Sequence, residues 1–159
     1  VSYRTAVIVL SDRAASGERP DGCIPVVRDV LGDAFEVAFT QILPDDPSAL
    51  TASLVDLCDR DRMALIVTSG GTGLSPRDRT PQATSAILDF EVPGLTEAMR
   101  GQTISRVPTA MLSRAVAGVR GTTLIVNLPG SPKGVRETLD VIRPVLPHAL
   151  DHLSDKVDH

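Results

Sequence analysis

Apolar residues along the chain fall into two alternating rhythms. Thr5-Ala-Val-Ile-Val-Leu10, Ala64-Leu-Ile-Val67 and Thr122-Thr-Leu-Ile-Val126 are short, continuous apolar runs, the signature of strands buried on both faces. Phe35 to Leu43 reads as a further strand, stopped by Pro44-Asp45-Asp46-Pro47. Between the strands the spacing turns helical. Ile24, Val27, Val30 and Leu31 share one stripe, and Leu50, Leu54, Val55 and Leu57 share another within Ser48 to Cys58. Thr80-Pro81 predicts a helix start with threonine as the cap and proline at the first helical position. Pro93 to Gln102 predicts a further helix and Pro108 to Val116 a short one. From Lys133 a long helix runs to the C-terminus, with kinks expected at Pro144 and Pro147. Apolar strands alternating with amphipathic helices predict a three-layer α/β/α sandwich with a mostly parallel sheet, residues 1–159 forming a single domain.

The 159 residues suffice for one proper core. With 3% aromatic residues and no Trp, that core must be aliphatic. No stretch approaches the roughly 18 apolar residues that cross a bilayer. The formal charge of −4, without a Lys/Arg run or a stacking surface, argues against a nucleic-acid partner. Cys23 and Cys58 lie far apart and outside any C-x-x-C pair. They are expected as free thiols of a cytoplasmic protein, and are too few for a structural zinc site.

Open α/β sheets bind ligands beyond the carboxyl ends of their strands, and every predicted strand here ends in polar or glycine-rich residues. The first delivers Ser11 and Asp12, and the second Asp45. The third delivers Thr68, Ser69, Gly70, Gly71, Thr72 and Gly73, with Arg77 and Asp78 behind them. The fourth delivers Asn127, Pro129, Gly130 and Ser131. The glycine run can turn successive amides toward a phosphate, although it matches neither the P-loop nor the dinucleotide fingerprint. A tight turn with glycines for steric reasons is the competing reading.

Asp45 and Asp78 beside a phosphate site suit Mg²⁺, which takes one or two carboxylates plus substrate oxygens. Helix capping would be the ordinary task of Asp45, but Asp46 is better placed for it. Asp78 has the alternative of pairing with Arg77 or Arg79. His148 and His152, four apart, read as a solvated helix face, since no third ligand is evident. Ser69 lies in no G-x-S-x-G elbow, and Cys23 reads as an inert thiol.

The run Thr68-Ser-Gly-Gly-Thr-Gly-Leu-Ser-Pro-Arg-Asp-Arg-Thr-Pro-Gln-Ala-Thr84 closely resembles the signature of the MogA/MoaB family of molybdenum-cofactor biosynthesis proteins. Ser11-Asp12-Arg13, Pro44-Asp45, Pro93-Gly94, Met99-Arg100, Val107 to Arg114 and Asn127 to Lys133 continue the likeness in order. The resemblance implies the molybdopterin-binding fold of that family, commonly trimeric. It implies sites for molybdopterin and ATP with Mg²⁺, contact with the molybdenum-insertion protein of the pathway, and a reaction that adenylylates the terminal phosphate of molybdopterin. Asp45 and Asp78 match the family's two essential aspartates, and Ser113 and Arg114 fall in a matching substrate-binding segment.

The chain departs from the pattern at Gln82, where relatives carry an acid, and in Asp21-Gly22-Cys23-Ile24-Pro25, where a basic residue is missing. Gln82 keeps a competing reading in view, that of a molybdopterin-binding scaffold without catalysis. Action on another nucleotide-linked substrate is a third.

Overall fold

The computed structural model describes residues 2–155. A six-stranded sheet forms its centre, ordered β2-β1-β3-β6-β5-β4. Strands β1 (Tyr3–Leu10), β2 (Phe35–Leu43), β3 (Leu65–Ser69) and β6 (Thr123–Leu128) run parallel. Two short strands, β4 (Phe90–Glu91) and β5 (Ala117–Arg120), continue the sheet antiparallel beyond β6. The sheet is therefore mostly parallel, as predicted, with an antiparallel margin that the apolar pattern does not announce.

Residues of opposite parity on β1 feed opposite layers. Val7 and Val9 join one core with α2 (Cys23–Leu31), α5 (Pro93–Thr103), α6 (Pro132–Ile142) and α7 (Leu146–Leu153). Ala6, Ile8 and Leu10 join a second core with α3 (Pro47–Asp59) and α4 (Thr80–Ser85). Both cores are mainly aliphatic, with Phe35 the buried aromatic of the first, and the three-layer α/β/α architecture follows.

Several boundaries differ from the sequence expectation. β3 runs through Thr68 and Ser69, and β6 through Asn127 and Leu128, so these four residues lie inside the sheet. Thr80 does not cap α4. The N-cap is Arg79, without a side-chain bond, and Thr80 is a buried residue of the first turn whose amide donates to Gly71 O at 3.1 Å. The helix expected from Lys133 begins at Pro132, and it is divided by a 3-10 turn, Arg143–Val145, where Pro144 cannot continue the ladder. Pro108–Leu112 is a 3-10 turn and stops short of Val116. After β1 a single helical turn, α1 (Asp12–Ala15), was not expected. Among the described residues no helix is long and apolar enough to cross a membrane.

Candidate active site

Four chain segments meet at the carboxyl ends of the parallel strands. The glycine loop is shaped by two residues in left-handed conformations, Gly70 at φ 107° and Gly71 at φ 70°. A side chain at Gly70 would strike Leu10 O and one at Gly71 would strike Thr80 Oγ1, so both positions are closed to anything larger. The amide of Gly70 donates to Leu128 O at 3.0 Å, which ties the loop to the end of β6. Among the described residues, the amides of Gly71, Thr72, Gly73 and Leu74 make no hydrogen bond, the property a phosphate cradle requires.

Asp45 and Asp78 both border this loop. A Cβ placed on Gly71 would lie 3.6 Å from Asp45 Oδ1, and one placed on Gly73 would lie 2.8 Å from Asp78 Oδ2. Asp46 caps α3 through Ser48 N at 3.0 Å and Ala49 N at 3.4 Å, which leaves Asp45 free of that task. Asp78 pairs with neither Arg77 nor Arg79; its Oδ2 accepts the Ser75 amide at 3.0 Å. Arg77 instead grips Asp12, with contacts of 2.7 to 3.1 Å.

Burial raises the pKa of Asp45 above the ordinary carboxylate value. The charge of Asp12 adds to the shift, as does the weaker charge of Asp78, against the opposing Asp12 amide and Arg77. Asp12 moves the other way, held down first by its hydrogen bonds from Arg77 and then by the Asp45 amide. Asp12, Asp45 and Asp78 thus crowd together, while Arg77 is paired with Asp12 and Arg79 lines the same small cavity as Asp45. Such an excess of negative charge favours a cation.

Arg114 braces the loop from its outer side. Its Nε donates to Gly73 O at 2.9 Å and its Nη2 to Asp78 O at 2.6 Å, while its amide donates to Thr72 O at 2.9 Å. Neighbouring Ser113 lends its Oγ to the Ala115 amide at 3.3 Å and its carbonyl to Arg100 at the same distance.

Several residues predicted for the site are committed to holding its framework. Asn127 is fully buried and bonds Thr68 Oγ1, Thr84 Oγ1 and the Val116 amide, at 2.9, 3.1 and 3.1 Å. Ser69 donates to Pro129 O at 2.7 Å, joining the two loops. Ser11 caps α1 and Ser131 caps α6, each accepting an amide three residues on. Gly130 packs on the glycine loop, with a Cβ there placed 3.3 Å from Gly70 Cα.

Cys23 is buried 3.5 Å from Gly130 O, and burial raises its thiol pKa; the same cause pushes Cys58 up to about 11. His148 and His152 pack ring against ring on α7, 4.2 Å between centroids, and line none of the cavities described here.

A cavity of about 420 Å³ opens beside the glycine loop, within the size range of small-molecule sites. Its rim is Thr72, Gly73, Pro129, Ser113 and Ser131, all anticipated. Its walls bring in residues that were not, among them Thr96, Thr103, Glu137 and Thr138. Threonines on the buried stripe of a helix were the available signal, since Thr96, Met99 and Thr103 follow helical spacing on α5. A second cavity of about 270 Å³ lies across the Gly130 loop, against Ser11, Arg19, Asp21 and Cys23.

Comparison with known proteins agrees with this geometry. Residues 6–148 match the family described as "Probable molybdopterin binding domain". Over 145 residues the chain is 41% identical to the molybdopterin adenylyltransferase of Escherichia coli K12, covering 89% of this chain and 74% of that protein. The Helicobacter pylori molybdopterin adenylyltransferase is 38% identical over 148 residues, covering 91% and 84%. Among solved structures, the molybdopterin biosynthesis enzyme MoaB of Thermus thermophilus superposes with a TM-score of 0.92 at 51% identity, covering 96% of this chain and 97% of that one. The molybdopterin biosynthesis Mog protein of Mycobacterium ulcerans superposes at 0.88 with 45% identity, covering 96% and 99%.

Proposed function

The chain belongs to the molybdopterin-binding family of molybdenum-cofactor biosynthesis proteins, and on that premise we propose that it is a molybdopterin adenylyltransferase, transferring AMP from ATP to the terminal phosphate of molybdopterin and releasing pyrophosphate. The observation that carries the reading is the placement of Asp45 and Asp78 on either flank of a glycine loop whose amides are unpaired among the described residues.

The chemistry asks little of a general base. The nucleophile is a phosphate monoester, largely dianionic near neutral pH because its second pKa is about 6. One of its oxygens attacks the α-phosphorus of ATP. The bond to the bridging oxygen breaks, and its electron pair leaves with pyrophosphate. No proton need be removed, so a rim without histidine is adequate. What the step does need is alignment and neutralisation of charge.

The site fits Mg²⁺ by its charge. Asp45 and Asp78 would hold the ion, and crowding with Asp12 is relieved when a dication joins them. Among the described residues no three His, Cys, Asp or Glu side chains form a metal cage, so substrate phosphate oxygens would complete the shell. The ion, when bound, neutralises phosphate charge. The glycine-loop amides orient the phosphate, and Arg114 fixes the loop that carries them. Arg77, in an exposed pair with Asp12 worth little to stability, is free to exchange its partner for a phosphate.

The same reading makes the chain a cytoplasmic homotrimer that meets the molybdenum-insertion protein. Exposed Leu74, Met111 and Leu112 offer apolar surface for such contacts. Gln82, which favoured a non-catalytic scaffold, sits exposed on α4 and lines none of the cavities described above.

Incubating the protein with molybdopterin, ATP and Mg²⁺ should yield adenylylated molybdopterin and pyrophosphate in equal amounts. Asp45→Ala and Asp78→Ala should each abolish turnover. Tight molybdopterin binding without pyrophosphate release would select the scaffold instead.

A further inference from the structure

Asp45 and Thr80 each present an oxygen that the fold leaves without a partner. Thr80, in the first turn of α4, is only 3% exposed, and among the described residues its hydroxyl makes no hydrogen bond. A helical threonine ordinarily bonds a carbonyl of the preceding turn, as Thr96, Thr103 and Thr138 do here at 3.2, 2.7 and 2.8 Å. Asp45 uses Oδ2 for the Asp12 amide at 3.4 Å, and its Oδ1 takes no donor among the described residues. The two oxygens converge. A side chain on Gly71 would strike Thr80 Oγ1 and lie 3.6 Å from Asp45 Oδ1. Both residues line a small cavity of about 10 Å³, walled by Leu10, Pro47 and Leu50 and edged by Arg77 and Arg79. Among the described residues no fully enclosed side-chain oxygen lacks a partner, so the Thr80 hydroxyl opens onto space, and this cavity is the space it lines.

That volume admits one water molecule and nothing larger. A buried hydroxyl and a carboxylate oxygen without donors are both costly, and one water between them satisfies both. It accepts the Thr80 proton and donates one of its own to Asp45 Oδ1, while the arginines at the edge of the cavity offer a further donor. The link matters for aim. Through Oδ2 alone the Asp45 carboxylate is held by one long contact, and its last torsion is broad and easily turned. A second anchor at Oδ1 stops that rotation. Resting on the reading that Asp45 serves the transfer, we propose that an enclosed water joins Thr80 Oγ1 to Asp45 Oδ1. Thr80 is then a positioning residue, touching no substrate itself, that aims the Asp45 carboxylate past Gly71 toward the glycine loop.

Two variants separate positioning from packing: Thr80→Val keeps the shape and removes the hydroxyl, and Thr80→Ser keeps the hydroxyl. With molybdopterin, ATP and Mg²⁺, Thr80→Val should lower kcat by about 10- to 100-fold, the range for a misplaced group, with both KM values unchanged. Thr80→Ser should recover to within about 3-fold of the wild type. A crystal structure of the wild-type protein should show a water within about 3.2 Å of both oxygens, and that of Thr80→Val should not. Thermal melts add a readout free of turnover. Thr80→Val should lower Tm by roughly 2–4 °C. Beside Asp45→Ala it should lower Tm by about half as much or less, because the water has then already lost its other partner. A Tm that rises in Thr80→Val, the mark of a hydroxyl with no partner at all, overturns the link, and so do strictly additive melts. A KM rise at unchanged kcat makes Thr80 a substrate contact and overturns its role. The wild-type crystal structure needs no variant and decides the link if Thr80→Val does not fold. Full turnover in Thr80→Val defeats this inference and leaves the catalytic reading intact. The water and the coupled melts, in a protein that adenylylates nothing, support the link and defeat the catalytic reading.

Discussion

Asp12 and Asp45 exchange main-chain amides for carboxylates. The Asp45 amide donates to Asp12 Oδ1 at 2.9 Å, and the Asp12 amide donates to Asp45 Oδ2 at 3.4 Å. The loops after β1 and β2 are thereby clasped to each other, and two negative groups are held together within the clasp. Geometry is gained at an electrostatic cost that a cation would remove.

That cost predicts a trade between stability and activity at Asp45. Its folded pKa is raised, so the folded state holds the proton more tightly than the unfolded chain. Stability from this group is present at low pH and is lost as pH rises from the ordinary carboxylate value through the raised one. Asp45→Asn, which can still accept the Asp12 amide, should therefore raise Tm by roughly 1–3 °C at neutral pH without Mg²⁺ while abolishing transfer. The difference should vanish in acid, where the wild-type carboxyl is protonated. Thermal melts across pH, with and without Mg²⁺, test this, and a wild-type Tm above that of the variant in metal-free neutral buffer would count against it.

Arg114 should matter to the site through the backbone it holds. Arg114→Ala removes the donors to Gly73 O and Asp78 O, charge-assisted bonds worth about 1.5–3 kcal/mol in a typical case. We expect a clear loss in denaturant stability and an activity loss of about 10- to 100-fold from misplacement of the loop. Arg114→Lys should recover part of the stability and little of the activity, because one ammonium cannot span two carbonyls as a guanidinium does. Equal activity of the lysine variant and the wild type would show that the brace is not needed.

Gly71→Ala combines an unfavourable positive φ with a strike on Thr80 Oγ1. It should cost more than about 2 kcal/mol or displace α4. Proteolysis should report this as faster cleavage within residues 70–80; a variant that resists protease as well as the parent refutes the close approach.

Asn127 is expected to be structural. Asn127→Ala orphans the Val116 amide and two threonine hydroxyls in a fully buried setting, at a cost of about 2–4 kcal/mol. Where the variant still folds, its KM for molybdopterin should stay near that of the parent. A selective rise in KM at unchanged stability would make it a ligand contact after all.

The sequence made the rim legible because strand ends, glycines and acids are local signals, and Asp45, Asp78 and Gly70–Gly73 each sit where such signals point. Other features depended on distance. Ala117–Arg120 has too little apolar length to announce a strand, and its Gly118 is explained only by the close approach of Leu88 and Phe90. Asn127 looked like a ligand contact because polar residues near a rim usually are. Its partners Thr68, Thr84 and Val116 come from three other segments, and no spacing reveals that. Thr96, Thr103 and Glu137 line a cavity that exists only once α5 and α6 pack side by side.

A Cβ on Gly130 would come within 3.3 Å of Gly70 Cα, whereas one on Gly70 would meet Leu10 O instead. A substitution at Gly70 is thus opposed by β1 and one at Gly130 by the glycine loop, so relieving one clash leaves the other in place and the two costs should be nearly additive. The spacing of the two loops is guarded twice, by the absence of a side chain at Gly130 and by the Ser69 hydroxyl that reaches Pro129 O, and it survives the loss of neither.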